Sequence, residues 1–287
     1  MNVEGILSIL QATGHIDQGQ ADDINSDVLQ NGSDPIAVLE NYGIADFIAR
    51  DPATYMPVFS IYQNRAPDFA IEFGDVDIHL RTLRDNQQFS DDEGVAEALG
   101  ISSATWPIFG IVWDSGQVLA HLMFDYNIAG KRILEVGCGI ALTSLVLNHR
   151  AADITATDLH PETEAFLVRN VLLNDGPEIP FVRTGWADVK SALGRFDLIV
   201  GSDLLYETEH AELLSGFIEQ HAAPGCEVII VDPGRGNHAR FSKRMLHLGF
   251  SHSQHRPETD GYLERPFRGR VLTYRRFDDS LCGADTG

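Results

Sequence analysis

Cysteine is scarce in this chain. Its 287 residues include only Cys138, Cys226 and Cys282, and none lies in a C-x-x-C pair. An odd, dispersed set argues against a disulfide framework and against a cysteine zinc site, so we expect a cytoplasmic protein. The sequence also lacks H-E-x-x-H, and the histidines near residue 250 do not have metal-ligand spacing. We therefore expect no metal.

Long apolar runs are missing as well. No run approaches the ~18 residues that a membrane span requires, so no membrane association is expected. The opening MNVEGILSILQATG has no basic segment and carries Glu4, so a secretory signal is not expected either.

Basic residues are also few. Lys and Arg number 21 against 42 Asp and Glu, which gives a formal net charge of -21. Before residue 130, only Arg50, Arg65, Arg81 and Arg84 are basic. An acidic surface repels phosphate backbones, so we expect no nucleic-acid partner. A basic protein or peptide fits better, although the charge could equally serve only to keep the protein in solution.

Short apolar strands alternate with helical segments from Lys131 onward. This pattern predicts a doubly wound α/β fold with a mostly parallel sheet. Two final strands, in GFSHSQHRP and RGRVLTYRRF, are separated only by a loop and should form an antiparallel pair. The earlier strands are predicted at Arg132–Val136, Asp153–Thr157, Ile179–Thr184, Phe196–Gly201 and Glu227–Val231.

The chain divides into four predicted parts. Residues 1–52 read as a small helical extension, which could be a recognition module or a packing element. Residues 53–105 contain a β-hairpin turning at Gly74-Asp75, followed by a helix that leads into the core. Residues 106–277 form the main domain, and residues 278–287 form a tail.

The segment ILEVGCGIALTSLVLNHRAADITATDLH runs from Ile133 to His160. A strand, a glycine turn and a helix are typical of nucleotide sites, because glycine lets a ligand approach the backbone and the helix start presents N–H groups. Asp158 ends the next strand, where a carboxylate can accept hydrogen bonds from both hydroxyls of a ribose.

Two features of this turn disfavour NAD. The third position of its G-x-G-x-x-G/A fingerprint is Leu142, and Glu135 would repel a pyrophosphate. The acid at Glu135 instead suits a ligand with a positive amino group. S-adenosyl-L-methionine supplies a cation and a ribose, so the electrostatics favour it. A glycine turn with a purely structural role remains the alternative.

The residues also resemble a known family. Glu135-x-Gly137-x-Gly139 resembles motif I of the seven-β-strand S-adenosylmethionine-dependent methyltransferases, and Asp158 resembles their second acidic motif. The resemblance covers about residues 70–276 and implies a Rossmann-like, seven-stranded sheet, with S-adenosyl-L-homocysteine as product. Four segments are similar to the protein-lysine methyltransferase branch of the methyltransferase-like 21 type: WPIFGIVWDSG (Trp106–Gly116), NVLLN (Asn170–Asn174), GWAD (Gly185–Asp188) and DLLY (Asp203–Tyr206).

The resemblance implies that Trp186 packs against adenine and that Trp113 helps to wall the pocket; core packing is the alternative for both. Many relatives carry an acid before the tryptophan, whereas this chain has Gly185 there and Asp188 after it. The full set predicted to bind the cofactor is Trp113, Glu135, Gly137, Cys138, Gly139, Asp158, Leu159, Trp186 and Ser202.

Asp203 and Tyr206 are the predicted catalytic residues, because they follow a strand at the switch point of the sheet. Asp203 could hold an incoming ammonium, and Tyr206 could accept a hydrogen bond or offer its ring to the cation. Alternatively, Asp203 caps the next helix, near Glu207. Arg235 follows the fifth strand at the same edge and either contacts substrate or lies in a surface loop.

The predicted function is methyl transfer to a protein side chain, with lysine favoured. A small-molecule N- or O-methyltransferase and a non-catalytic cofactor-binding protein are the alternatives, because a fold does not fix a substrate.

Overall fold

The computed structural model describes residues 18–19, 21–22, 69–83, 91, 94–188, 193–259 and 261–276. These residues form a hairpin followed by alternating helices and strands. The strands are β1 (Phe69–Phe73), β2 (Val76–Leu80), β3 (Arg132–Val136), β4 (Asp153–Asp158), β5 (Phe181–Arg183), β6 (Phe196–Ser202), β7 (Ala222–Asp232), β8 (Phe250–His255) and β9 (Arg270–Arg276). The helices are α1 (Val95–Ala98), α2 (Asp114–Asp125), α3 (Leu142–His149), α4 (Thr163–Leu173), α5 (His210–His221) and α6 (His238–His247), with a 3-10 helix at Trp106–Gly110.

Seven strands form one sheet in the order β5-β4-β3-β6-β7-β9-β8. The first five run parallel, β9 is antiparallel to β7, and β8 is antiparallel to β9. The predicted doubly wound sheet with an antiparallel end is therefore confirmed. Because β3, β4, β6 and β7 are parallel, the loops that follow them all lie at one edge of the sheet.

Each face of the sheet has its own core, which explains why the strands are continuously apolar rather than alternating. Ile133 contributes to one core and Leu134 to the other, since successive side chains of a strand point to opposite faces. Side chains of α2, α3 and α4 belong to the first core, and those of α5 and α6 to the second.

Two strands, β7 and β5, differ from the sequence prediction by more than one residue at an end. β7 begins at Ala222 rather than Glu227, because Ala222 pairs with Phe196 ahead of a register shift. The Pro224-Gly225 pair between them gives the local sequence the appearance of a turn. β5 is shorter than predicted; Ile179 lies outside it, although its side chain is buried.

The predicted hairpin at Gly74-Asp75 is present and is attached to the C-terminal end of α4 by the side chains of Asn170, within the helix, and Asn174, directly after it. The Asn174 amide accepts from the N–H of His79 at 2.8 Å and donates to its carbonyl at 2.8 Å. The Asn170 amide accepts from the N–H of Arg81 at 2.7 Å and donates to its carbonyl at 3.3 Å. The N-V-L-L-N segment thus supplies the donors and acceptors that a neighbouring strand would offer.

The helical extension predicted over residues 1–52 lies outside the described residues, apart from 18–19 and 21–22. The tail from residue 278 lies outside them too, so the division into four parts stays a prediction. Among the described helices, none has the length and apolar character needed to cross a bilayer.

Replacing Asn170 by Ala removes two buried hydrogen bonds between α4 and the hairpin. We expect the free energy of unfolding to fall by about 2 kcal/mol, measured by urea denaturation. Leu172→Ala, at an exposed position of the same helix, is the control and should change stability by about 0.5 kcal/mol or less. Equal losses in the two variants would contradict the role given to Asn170.

Candidate active site

The loop after β3 turns through three residues with left-handed backbone. Gly137, Gly139 and Ala141 have φ angles of 61°, 51° and 61°. A Cβ on Gly137 would lie 2.6 Å from Leu204 Cδ2, and one on Gly139 would lie 2.9 Å from the carbonyl oxygen of Phe109. Both positions therefore favour glycine for two reasons, the backbone conformation and the close packing of the protein's own residues.

Glu135 lies on β3 directly before this turn and is only 4% exposed. Its Oε2 accepts hydrogen bonds from the N–H and the hydroxyl of Ser144, at 2.9 and 2.5 Å. Ser144 belongs to the first turn of α3, so the carboxylate satisfies donors at a helix N-terminus. Burial raises the pKa of Glu135 to about 7, against the lowering effect of these bonds.

Asp158 ends β4 on the other side of the turn. Its Oδ2 accepts the N–H of Gly139 at 2.8 Å, and its Oδ1 accepts the N–H of His160 at 2.8 Å. Burial raises the pKa of Asp158, and these backbone hydrogen bonds oppose the shift. Each carboxylate oxygen has a second lone pair, so the group can accept further hydrogen bonds.

The tryptophan segment covers the glycine turn. Phe109, in the 3-10 helix, presses its backbone carbonyl against Gly139. Trp113 follows, 36% exposed, and its indole N–H donates to a carbonyl of the same 3-10 helix at 3.0 Å. A Cβ on Gly116 would lie 3.7 Å from the Oγ of Ser202. The segment therefore extends from the glycine turn to the end of β6.

Trp186 also reaches the turn, since a Cβ on Gly137 would be 3.7 Å from its Cζ2. The loop that carries it is closed by Asp188, whose Oδ2 accepts from the N–H of Gly185 at 2.8 Å and from the hydroxyl of Thr184 at 2.9 Å. Asp188, which follows the tryptophan where many relatives have an acid before it, thus fixes the conformation of the loop that carries Trp186.

Asp203 follows β6 and has a left-handed backbone, with φ of 53°. Its N–H donates to the carbonyl of Val231 at 2.9 Å. Its two carboxylate oxygens accept from Nε and Nη2 of Arg235, at 2.8 and 2.7 Å. Because α5 begins only at His210 and Asp203 binds Arg235, the alternative that Asp203 caps this helix is wrong.

Tyr206 is 45% exposed and meets the ring of His210 edge-on, with centroids 4.4 Å apart. His210 in turn meets Trp186 edge-on at 5.1 Å. Burial and nearby carboxylates, first among them Asp158, raise the pKa of Tyr206. An aromatic row therefore connects the tryptophan beside the glycine turn to the tyrosine of the D-L-L-Y segment.

The structure brings the predicted site residues to the carboxyl edge of the sheet. Cys138 lies at this edge between the two glycines, but its side chain is buried in the first core and its N–H donates to the carbonyl of Thr157 at 2.9 Å. Leu159 lies at the edge and is 38% exposed. Within the described segments, no group of three or more His, Cys, Asp or Glu is arranged to hold a metal ion.

Local sequence patterns say little about two neighbours in the site, Arg235 and His210. Arg235 can be placed at the right edge, but its pairing with Asp203 depends on how two loops approach each other. His210 carries no signal at all, since only the position of the start of α5 brings its ring to Tyr206.

These features define a class of protein: a Rossmann-like α/β protein with a nucleoside-type site at its glycine turn. The fold agrees with two solved structures. A putative SAM-dependent methyltransferase from Streptococcus mutans superposes with a TM-score of 0.53 at 12% sequence identity. The alignment covers 74% of this chain and 56% of that chain. A putative methyltransferase complexed with SAH has a TM-score of 0.52 at 14% identity, with coverages of 74% and 57%.

A family model described as lysine methyltransferase matches residues 100–246, about half of the chain, and the chain belongs to this family. Relatives include the electron transfer flavoprotein beta subunit lysine methyltransferase of Rattus norvegicus, 30% identical over 133 residues, which are 45% of this chain and 51% of the relative. Protein N-lysine methyltransferase METTL21A of Danio rerio is 31% identical over 144 residues, with coverages of 45% and 63%. The matches thus span about half to two thirds of these relatives.

The buried carboxyl of Glu135 should make stability depend on pH. Its folded-state pKa of about 7 lies above the unfolded value of 4.5, so the unfolded chain releases this proton first as pH rises. Relative to Glu135→Gln, the wild-type free energy of unfolding should therefore fall between these two pH values, by up to about 1.4 kcal/mol per pH unit. Urea denaturation over this pH range measures the difference.

Glu97→Gln, which removes an exposed carboxyl, is the matched control and should follow the wild type. Parallel curves for wild type and Glu135→Gln would show that burial does not shift this group.

Proposed function

We propose that the protein is an S-adenosyl-L-methionine-dependent methyltransferase that modifies a lysine side chain of a protein in the cytosol. One observation carries this proposal. Leu204 of the D-L-L-Y segment packs directly on Gly137, so the segment that supplies Asp203 and Tyr206 is part of the wall of the glycine turn. The predicted donor and acceptor halves therefore share one edge of the sheet.

The residues present fit this cofactor. Four large apolar side chains at this edge remain exposed: Ile108, Trp113, Leu159 and Tyr206. A nucleoside base would cover such surface. In the part of the chain that the structure describes, no ion pair includes Glu135 or Asp158. Two carboxylates without a nearby cation suit hydroxyls and an amino group, and they repel a pyrophosphate.

Asp158 would accept hydrogen bonds from the ribose, Glu135 would face the amino-acid end, and Trp113 and Trp186 would flank the base. Gly137, Gly139, Cys138, Leu159 and Ser202 would complete the contacts through the turn and the strand ends. When bound, the cofactor supplies a methyl group on a sulfonium, which makes that carbon electrophilic. What remains for the chain's own residues is to orient the acceptor and exclude water.

Asp203 and Tyr206 orient the acceptor in this proposal. A lysine ammonium has a pKa near ~10.4 and must lose a proton before its nitrogen can act as a nucleophile. The Asp203 carboxylate would accept a hydrogen bond from the incoming nitrogen, and the exposed ring of Tyr206 would present its face or hydroxyl to the same group. Water at the open edge would accept the proton.

Three considerations support a protein acceptor. The rat relative is named as a lysine methyltransferase of the electron transfer flavoprotein beta subunit, and the Danio relative is named as a protein N-lysine methyltransferase. The net charge of -21 favours a basic acceptor segment and disfavours nucleic acid. The exposed position of Tyr206 leaves the acceptor end of the site open to a large partner.

Asp158→Asn tests the cofactor site. The change keeps one acceptor oxygen but removes the charge and half of the carboxylate's lone pairs, so we expect S-adenosyl-L-methionine to bind about tenfold to a hundredfold more weakly in a calorimetric titration. Asp153→Asn, at the other end of β4, should bind as the wild type does. Equal affinity in wild type and Asp158→Asn would contradict the assignment of this carboxylate.

Methyl transfer itself is tested with labelled cofactor and a cell lysate, followed by mass spectrometry of proteins and small molecules. We expect label on lysine of a protein, and a rate at least about tenfold lower with Asp203→Asn, because the acceptor loses a charged hydrogen-bond partner. Asparagine tolerates left-handed backbone, so this variant should keep the fold.

Glu207→Gln, a neighbouring exposed carboxyl, is the control and should retain activity. Label found only in small metabolites would replace the proposal with a small-molecule methyltransferase. Cofactor binding without any transfer would indicate a non-catalytic binding protein.

A further inference from the structure

A carboxylate beside the acceptor nitrogen creates a chemical conflict under the proposed function, on which this inference rests. The carboxylate can orient the nitrogen by accepting an N–H, but its negative charge also stabilises the ammonium form and raises the lysine pKa. Methyl transfer requires the neutral amine, whose lone pair would form the new N–C bond while the bond from the methyl carbon to sulfur breaks and leaves its electron pair on sulfur. An isolated aspartate at the acceptor end would therefore bind lysine well in the form that cannot react.

The structure shows that Asp203 is not isolated. Arg235 forms a two-bond ion pair with it, in which the arginine side chain is 44% exposed and the aspartate side chain 11%. The guanidinium approaches from the loop after β7, where Gly234 and Gly236 on either side of Arg235 have φ angles of 101° and 94°. The N–H of Asp203 is bonded to Val231 on β7, so its backbone and its side chain are both fixed to the end of this strand and its loop.

The pair leaves the acceptor function of Asp203 intact. Arg235 uses one lone pair on each carboxylate oxygen, and a second lone pair remains on each. A neutral amine can therefore donate an N–H to Asp203 while Arg235 stays in place. An ammonium in the same position would be attracted by the carboxylate and repelled by the guanidinium, whose charge is permanent.

We propose that Arg235 is a positioning residue for methyl transfer: it cancels the charge of Asp203, so that the acceptor lysine loses its proton readily and binds as the neutral amine. In this step the N–H bond of the ammonium breaks, its electron pair stays on nitrogen, and the proton leaves to water. Arg235 transfers no proton, and it acts on the acceptor only through its charge and through the orientation of Asp203.

Titratable and charged groups from the neighbouring elements lie near this position. In the described part of the chain four of them are carboxyl groups, and Arg235 is the one arginine or lysine among them. Asp232, which is buried, lies 3.4 Å from the Nδ1 of His238 at the start of α6. The groups are Asp158 from β4, Asp203, Tyr206 and Glu207 from the loop after β6, His210 from α5, Asp232 and Arg235 from the end of β7, and His238 from α6.

Arg235→Gln tests this inference by pH dependence. Labelled S-adenosyl-L-methionine and an acceptor protein, purified after its identification in the labelled lysate, are both supplied at saturating concentration, so the initial rate follows kcat, whose pH dependence reports groups in the bound complex. Loss of the positive charge should shift the acidic limb of the profile upward by about one pH unit. The variant should thus be about tenfold slower than wild type near neutral pH and nearly equal above about pH 10.

Arg235→Lys, which keeps the charge, should keep the wild-type limb. Arg240→Gln, which removes an exposed charge from α6, should leave the profile unchanged. Thermal melting and a calorimetric titration with the cofactor should show that Arg235→Gln folds and binds cofactor as wild type does, because the side chain is exposed and lies at the acceptor end.

A loss in Arg235→Gln of the same factor at every pH would indicate only a structural role and would overturn the inference, as would an unchanged rate. Those results leave the proposed function standing, since wild type still transfers label. A wild-type protein that labels no protein at all would overturn the proposed function, and the inference would fall with it.

Discussion

The site depends on how two carboxylates hold one turn of chain. Glu135 reaches from β3 to the first turn of α3, and Asp158 reaches from β4 to the N–H of Gly139. Together they fix the start of a helix and the end of a strand to the same bend. Because both acids are largely enclosed, their hydrogen bonds are made in surroundings of low dielectric, where losing a partner is costly. These hydrogen bonds therefore hold the glycine turn in its bent conformation without any ligand.

The proposed acceptor half of the site packs against the same turn. Leu204 fills the space above Gly137, while the residues on either side of the leucine pair, Asp203 and Tyr206, are less buried than the leucines. A shift of the glycine turn would move Leu204 and with it both predicted catalytic residues. Packing thus couples the place where a cofactor would bind to the place where an acceptor would arrive. Coupling of this kind requires no hinge or domain movement, because a close-packed interior transmits a displacement from one residue to its neighbours.

Electrostatics distinguish the two halves. Around the glycine turn the carboxylates have no ion-pair partner in the described part of the chain, which favours hydroxyl and amino groups. At the acceptor end the carboxylate of Asp203 is already paired with a guanidinium. The acids of the two halves therefore differ in charge balance. Under the proposed function, unpaired carboxylates suit the end that would hold the cation of the cofactor, and the Asp203–Arg235 ion pair suits the end that would hold a neutral amine.

Much of the fold follows from the sequence, because its signals are local. Continuous apolar strands, the hairpin turn at Gly74-Asp75 and the two late strands each predict their own structure, and the parallel sheet then places their carboxyl ends together. The predicted strand boundaries are wrong where pairing with a neighbouring strand overrides the local sequence pattern, as at Ala222, which pairs with Phe196. The same limit applies to N-V-L-L-N. Its sequence resembles a family segment, but its structural role, in which two asparagine amides bind the backbone of His79 and Arg81, is visible only once the helix is packed against the hairpin.

The amino-acid sequence by itself determined which residues are the candidates for the chemistry: the acids at 135 and 158, the two glycines, the tryptophans and the D-L-L-Y segment. Their types and spacings are set by bonds along the chain. Only the tertiary structure decided the partners of two of these acids, since Glu135 meets Ser144, and Asp203 meets Arg235 instead of capping a helix. The contact between Asp203, after β6, and Arg235, after β7, depends on the pairing of these two strands in the sheet. No local sequence pattern predicts the distance between the two loops.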